Sequence, residues 1–139
     1  ALDLLAKEGN LTLEVEAPDN LPLVWADEGL IQRVLENLTS NALKFTPPGG
    51  WVSLVACPLD DLLLIEVSDT GPGIPRELEG RLFQKFSSGP GPKQGTGLGL
   101  AFCRLALEAH GGRIWVEKSS AQGTSVRFTV PLWQEQESA

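Results

Sequence analysis

Leu11, Leu13 and Val15 alternate with Thr12, Glu14 and Glu16, the two-residue period of a half-buried strand. A short helix end over Ala1 to Glu8, stopped by Gly9-Asn10, is expected before it. Pro18-Asp19-Asn20 reads as a turn and Leu23-Val24-Trp25 as a short strand. The period then changes. From Asp27, read as an N-cap, a helix is expected to about Phe45, because Ile31, Val34, Leu35, Leu38, Ala42 and Phe45 share one face at about 100° per residue. Thr46-Pro47-Pro48-Gly49-Gly50 stops it. Trp51 to Ala56 and Leu62 to Ser68 read as strands joined by a hairpin loop, Pro58-Leu59-Asp60-Asp61. Leu78 to Phe86 reads as partly helical, and Ser87 to Gly95 has no period and reads as a mobile segment. Leu98 to His110 reads as a helix closed by Gly111-Gly112. Arg113 to Lys118 and Thr124 to Leu132 read as strands joined by Ser119 to Gly123. Hairpin-paired strands with helices between the pairs predict an α+β two-layer sandwich, with helices on one face of a mixed, mainly antiparallel sheet. Trp25, Trp51 and Trp115 fall in strands and are expected in the core.

Composition narrows the function classes. With 139 residues, 42% of them hydrophobic and 21% charged, the chain is one ordinary folded domain. Residues 1–133 are expected to form it, with 134–139 as a frayed tail. Lys+Arg 11 against Asp+Glu 18 gives a net charge of −7, with no basic stripe. Nucleic-acid affinity rests on phosphate neutralisation, so no nucleic-acid partner is expected. No apolar run has transmembrane length and no signal peptide opens the chain, so no membrane contact is expected of this domain. There is no Met, which processing would explain, but the chain is expected to be a piece of a longer protein. Cys57 and Cys103 each sit in an apolar stretch and read as buried free thiols of a reducing, cytoplasmic compartment. With one histidine, His110, they fall short of a four-ligand metal set.

Three segments carry candidate chemistry. Asn37, Asn41 and Lys44, spaced i, i+4, i+7, form a second stripe bordering the apolar face of the first long helix. Two amides and an amine there suit Mg²⁺ and polyphosphate, although a solvated helix face would look the same. Glu36 points about 100° away from Asn37 and reads as a surface residue. Asp69-Thr70-Gly71-Pro72-Gly73-Ile74-Pro75 follows a strand directly. A strand-terminal Asp before Gly-x-Gly can aim its carboxylate at an exocyclic amine such as adenine's, or simply make an Asx turn. Gly95-Thr96-Gly97-Leu98-Gly99-Leu100 opens a helix, where free N–H groups bind phosphate. It fits neither the Walker A nor the dinucleotide pattern, and a flexible hinge is its ordinary alternative. His110 reads as a structural residue at a helix end.

The order of these segments closely resembles the catalytic ATP-binding domain of sensor histidine kinases, in the Bergerat-fold superfamily shared with type II topoisomerases, HSP90-type chaperones and MutL-type repair proteins. Glu36 to Thr46 matches the family's N box, Asp69 to Pro75 the G1 box, Leu82 to Phe86 the F box, Gly95 to Leu100 the G2 box, and Gly123-Thr124 the last glycine box. His110-Gly111-Gly112 is also a family element. The resemblance implies that Asn41 ligates Mg²⁺, that Asn37 and Lys44 contact phosphates or metal-bound water, and that Phe45 packs on base and ribose. It implies that Asp69 bonds the adenine amine, with Gly71, Gly73, Ile74 and Thr124 around it. Gly95, Thr96, Gly97, Leu98, Gly99 and Leu100 would bring backbone N–H groups to the phosphates. Residues of about 76–95 would be the ATP lid, with Phe83 and Phe86 at its base and Lys93 as a lid cation. Where family members often carry Arg after the F box, this chain has Ser87-Ser88.

The function so implied is transfer of the ATP γ-phosphoryl group to a histidine on a separate dimerisation domain of the same parent protein. A response-regulator receiver domain would act downstream, and the isolated domain would be monomeric and cytoplasmic whether or not the parent is membrane-anchored. Two other classes remain open. An autonomous ATPase of the superfamily usually has a Glu base where this chain has Asn37. A non-turnover nucleotide-binding module is disfavoured by the intact Asn41, Asp69 and G2 glycines.

Overall fold

The helix expected from Asp27 is α1, Glu28–Phe45. The computed structural model describes residues 7, 9–17, 28–75, 78, 80, 82–84 and 99–132. The expected strand at Leu23 to Trp25, the Asp27 cap, Phe86, Lys93, Gly95, Thr96, Gly97 and Leu98, most of the expected lid and the tail lie outside the described residues.

The strands are β1 (Thr12–Glu16), β2 (Trp51–Leu59), β3 (Leu62–Asp69), β4 (Arg113–Ser120) and β5 (Gly123–Pro131), and the second helix is α2 (Gly99–Ala109). They form one sheet in the order β1-β2-β3-β5-β4. β1 runs parallel to β2, and every other pair is antiparallel. The α+β sandwich with a mixed, mainly antiparallel sheet is therefore the observed architecture. Within the stretch expected to be partly helical, Leu78 lies in a 3₁₀ turn and Leu82 to Gln84 form a turn.

Period-two alternation sorts the sheet into two faces. Leu63, Ile65 and Val67 of β3 are buried and align with Val130, Phe128 and Val126 of β5. This face carries α1 and α2, and the core cluster joins it to Val34, Leu38, Ala42, Cys103 and Leu107. Phe128 is wholly buried, and its truncation to Ala costs about 3–5 kcal/mol. Asp69 shares the parity of Val67, so the strand delivers its carboxylate to the helix-bearing side.

Several expectations are corrected by this face assignment. Trp51 is 51% exposed and Cys57 is exposed, because both point to the sheet face without helices while Val52 and Ala56 point inward. Trp115 is half-buried on that same face, where its indole N–H donates to Glu117. Phe45 is exposed although the wheel puts it with Leu38, since it is the last residue of α1. Thr39 and Leu43 are buried instead, because α1 has two covering neighbours, the sheet and α2.

The β2–β3 hairpin is longer than the sequence suggests. Pro58 pairs with Leu63 inside it, and the turn is only Asp60-Asp61, with Asp60 at φ 56. Proline is tolerated there because β1 covers β2 only from Trp51 to Val55, so Pro58 has an unpaired edge. Helix α2 ends as Gly111-Gly112 predicted. Gly111 takes φ 77, Gly112 N donates to Leu107 O at 2.7 Å and Gly111 N to Glu108 O at 3.1 Å, a Schellman closure.

Candidate functional site

The α1 stripe Asn37, Asn41 and Lys44 is half-buried. It lies beside the core face without joining it, which is where a side chain must sit to be fixed and still reach a ligand. Glu36 is exposed and accepts from Gln32 Nε2 at 3.3 Å, off the stripe as expected. The Lys44 ammonium stands over the Phe45 ring, 5.4 Å from its centroid. Thr46 finishes the helix by donating its hydroxyl to Ala42 O at 2.7 Å.

One end of the stripe meets the loop after β3. Gly71 N donates to Asp69 Oδ1 at 2.9 Å, the Asx turn that the spacing allowed. Burial pushes the Asp69 carboxyl up from its ordinary 3.8, while N–H bonds from Gly71 and from Thr124 on β5 pull it partway back. Gly71 is buried where a Cβ would stand 3.1 Å from Phe45 O and 3.0 Å from Asp69 Oδ1, so a side chain there would crowd the end of α1 and the Asp69 carboxylate. Gly73, at φ 89, packs against the Ser120 carbonyl, and Ile74 N donates to Ser119 Oγ at 2.9 Å. Thr70 clips the loop to β2: its N donates to Trp51 O at 3.1 Å and its Oγ1 accepts from Trp51 N at 2.9 Å.

The other end of the stripe meets α2. Asn37 Oδ1 lies 3.5 Å from the point a Cβ on Gly99 would occupy. One turn further along α2, the buried Cys103 thiol lies against α1, its Sγ 3.8 Å from Val34 O. Asn37 and Phe45 are eight positions apart on α1, or about 12 Å along the helix axis. The arrangement thus has a carboxylate with flanking glycines at one end and a helix N-terminus at the other, joined by amides and a lysine. It can hold a ligand with a hydrogen-bonding base at the first end and anionic oxygens at the second.

Phe83 is not brought to this stripe. It lines a groove of about 440 Å³ with Arg104, Glu108, Arg113 and Trp115, on the β4 side of α2, to which no described α1 residue contributes. His110 sits at the far end of α2, its Nδ1 2.6 Å from Ala106 O, so that nitrogen carries the proton and donates. Sequence reasoning missed the Thr70 clip and the Cys103 contact. Asp-Thr-Gly could have signalled the first, but nothing local to Cys103 signals the second.

The sequence profile described as histidine kinase-, DNA gyrase B- and HSP90-like ATPase matches residues 26–134. The chain belongs to this family. Among histidine kinase-type ATPases, the adaptive-response sensory kinase SasA of Synechococcus sp. (strain CC9311) is 40% identical over 131 residues, 91% of this chain and 34% of that protein. SasA of Gloeothece citriformis is 39% identical over 132 residues, 92% of this chain and 33% of its own. The chain therefore spans about a third of the length of these curated relatives. The nucleotide-free catalytic domain of histidine kinase ThkA superposes with a TM-score of 0.81 at 32% identity, covering 94% of this chain and 86% of that one. The mycobacterial sensor histidine kinase MprB gives 0.78 at 28% identity, with 94% and 90% covered. The chain is an ATP-binding catalytic domain of the histidine kinase kind. Among its described residues, no helix is long and apolar enough to cross a membrane.

Proposed function

We propose that this domain passes the γ-phosphoryl group of ATP to a histidine on a separate dimerisation domain of its parent protein, from which a receiver domain then takes it. The observation that carries this reading is the α1 stripe of Asn37, Asn41 and Lys44, stretched between the Asp69 loop and the start of α2. Phosphoryl transfer asks a protein mainly for positioning and charge neutralisation. Asp69 accepts the adenine amine, with Gly71, Gly73, Ile74 and Thr124 shaping its surroundings and Phe45 flanking base and ribose. Asn37 and Lys44 address the phosphates, and backbone N–H groups from Gly95 through Leu100 receive the phosphate oxygens. Lys93, Phe83 and Phe86 belong to the lid.

Asn41 is the Mg²⁺ ligand in this reading. Its amide oxygen is a hard donor on a half-buried stripe, and no cluster of three or more His, Cys, Asp or Glu capable of holding a metal occurs among the described residues. A cation shared between one amide, phosphate oxygens and water suits Mg²⁺. When bound, it neutralises phosphate charge next to an acidic domain.

The nucleophile is not in this domain. His110 is held at the C-terminal end of α2 by Ala106, about 15 Å along the helix axis from the phosphate end. The reading places the domain in the cytoplasm, where ATP and the receiver domain are. The test is incubation with γ-labelled ATP, with and without an added helical acceptor domain bearing a histidine. Acid-labile label on the acceptor and none on this chain is expected. Label on the chain that disappears in His110→Ala would overturn the reading.

A further inference from the structure

The loop from Thr70 to Pro75 is tied down at both ends. Thr70 clips its near end to Trp51 on β2. Its far end reaches β4, and because β5 lies between β3 and β4 in the sheet, the loop crosses the start of β5 on the way. Two glycines allow the close crossing. A Cβ on Gly123, the first residue of β5, would run into the Asp69 carbonyl and stand 3.2 Å from Thr70 Cα. A Cβ on Gly73 would run into the Ser120 carbonyl and stand 3.2 Å from Ser119 Oγ. The far tie is the Ser119 hydroxyl, which accepts from Ile74 N at 2.9 Å.

Ser119 reaches the loop across a bulge in β4. Ile114 and Val116 lie opposite Phe128 and Val126, on the helix-bearing face. Unbroken alternation from Val116 would turn Ser119 to the other face. The register slips between Val116 and Lys118, so that Ser119 falls opposite Thr124 instead. Thr124 has the parity of Val126 and is itself opposite Asp69. The bulge thus brings Ser119 to the face that carries Asp69. Ser120 does not share the task, since its hydroxyl accepts from Gln122 N at 3.2 Å inside the turn. Ser119 is exposed and Ile74 half-buried, so the bond fixes the loop while contributing little to the core.

We propose that Ser119 is a positioning residue for base recognition, acting through the Ile74 backbone to hold the far side of the base end at adenine's width. The inference deepens the proposed kinase function and rests on the Asp69 loop being the base end of the site. Asp69 is held by Gly71 and by its place in the sheet whether or not Ser119 is present. The Ser119 bond adds the placement of Gly73 and Ile74, the residues beyond the Asx turn. Without it, the loop is free to lift from Ser120 at Gly73, and that side recedes from the base. A purine with a further amino group is then excluded less well. The loss falls on base contacts and spares the phosphate end at α2.

The experiment compares Ser119→Ala, Ser119→Thr and Ser120→Ala with the wild-type chain. Calorimetry reads the affinities for Mg-ATP, Mg-GTP and Mg-tripolyphosphate, the last a probe with no base. NMR reads the Ile74 amide without nucleotide, and thermal unfolding reads the fold. Ser119→Ala is expected to weaken ATP binding about threefold to tenfold, the size of one neutral hydrogen bond. The ATP-to-GTP ratio narrows in the same variant, while tripolyphosphate affinity changes by less than about twofold, since the phosphate end is untouched. Ser119→Thr keeps the acceptor oxygen and recovers ATP affinity to within about twofold of wild type. Ser120→Ala binds as wild type does. The Ile74 amide resonance moves, and its hydrogen exchanges faster, in Ser119→Ala alone of the three. Equal weakening of ATP and tripolyphosphate would show general loosening and overturn the proposal. So would an unmoved Ile74 amide, a Thr variant as weak as Ala, or unchanged ATP affinity in a chain whose Ile74 amide has moved. Unweakened ATP binding by Asp69→Asn would instead refute the reading of the base end itself, and the proposal with it.

Discussion

Asp69 closes β3 directly opposite Thr124 on β5, where burial pushes its carboxyl pKa up and the Thr124 backbone N–H holds it partway back. The acid is oriented by backbone within its own loop, where Gly71 N donates to Oδ1 at 2.9 Å. A carboxylate held this way before any ligand arrives is set up to accept rather than to search.

Asp69→Asn should weaken ATP binding while stabilising the empty chain. A lost hydrogen bond involving a charged group is worth about 1.5–3 kcal/mol, so affinity should fall roughly tenfold to a hundredfold. The stability effect follows from the raised folded pKa. The folded chain holds this proton more tightly than the unfolded one. Its stabilising contribution is complete below the ordinary value of 3.8 and is lost as pH rises through the higher folded value. At pH 7 the ionised, partly desolvated carboxylate is therefore a net cost that Asn removes. Thermal unfolding from pH 3 to 8 should show the Asn variant gaining on wild type as pH rises. Equal ATP and GTP affinity in the wild type would rule out the adenine role.

Asn41→Ala removes a hard oxygen donor and leaves α1 intact, since Ala is the better helix former. ATP affinity in the variant should lose most of its Mg²⁺ enhancement, while affinity without Mg²⁺ changes little. Calorimetry with and without the metal checks this, and an unchanged enhancement would remove Asn41 as the ligand.

Gly123→Ala should damage fold and base recognition together. Gly123 has φ +144, and a Cβ there would run into the Asp69 carbonyl. A non-glycine residue in such backbone costs about 1–3 kcal/mol, and any relief must move Asp69. Gly49→Ala is the control, because Gly49 also has positive φ, +87, but open space around it. It should lose stability without losing ATP affinity. Unfolding curves paired with titrations separate the two.

Thr39→Val should stabilise the domain. Thr39 is wholly buried on α1, and its Oγ1 has no hydrogen-bond partner. An unsatisfied buried polar atom costs about 1–3 kcal/mol, and Val keeps the branched shape. A rise in melting temperature of a few degrees is expected, with ATP affinity unchanged.

The parts legible in the sequence are those set by local pattern. The Ile31 to Ala42 periodicity and the Pro47-Pro48-Gly49-Gly50 stop give α1 almost to the residue. Gly111-Gly112 closes α2 by a mechanism the sequence names outright. Alternation also gives the strands, but it cannot say which face is covered, and so Cys57 and Trp51 were expected inside. Burial of Thr39 and Leu43 depended on a second helix packing beside the first. The Cys103 contact to Val34 is purely tertiary, made between segments far apart in the chain. The stripe itself was readable because i, i+4, i+7 is a local fact.

The Thr70 clip has a consequence for how the domain fails. Both Thr70 bonds go to Trp51, the first residue of β2, and Asp69 and Thr124 are themselves paired in the sheet. The wall that carries Asp69 is therefore continuous with the backbone ladder. Its amide hydrogens should exchange with solvent on the same schedule as those of central β3, through opening of the whole sheet. Warming would then abolish discrimination between bases in the same transition that melts the domain, rather than in an earlier, separate step.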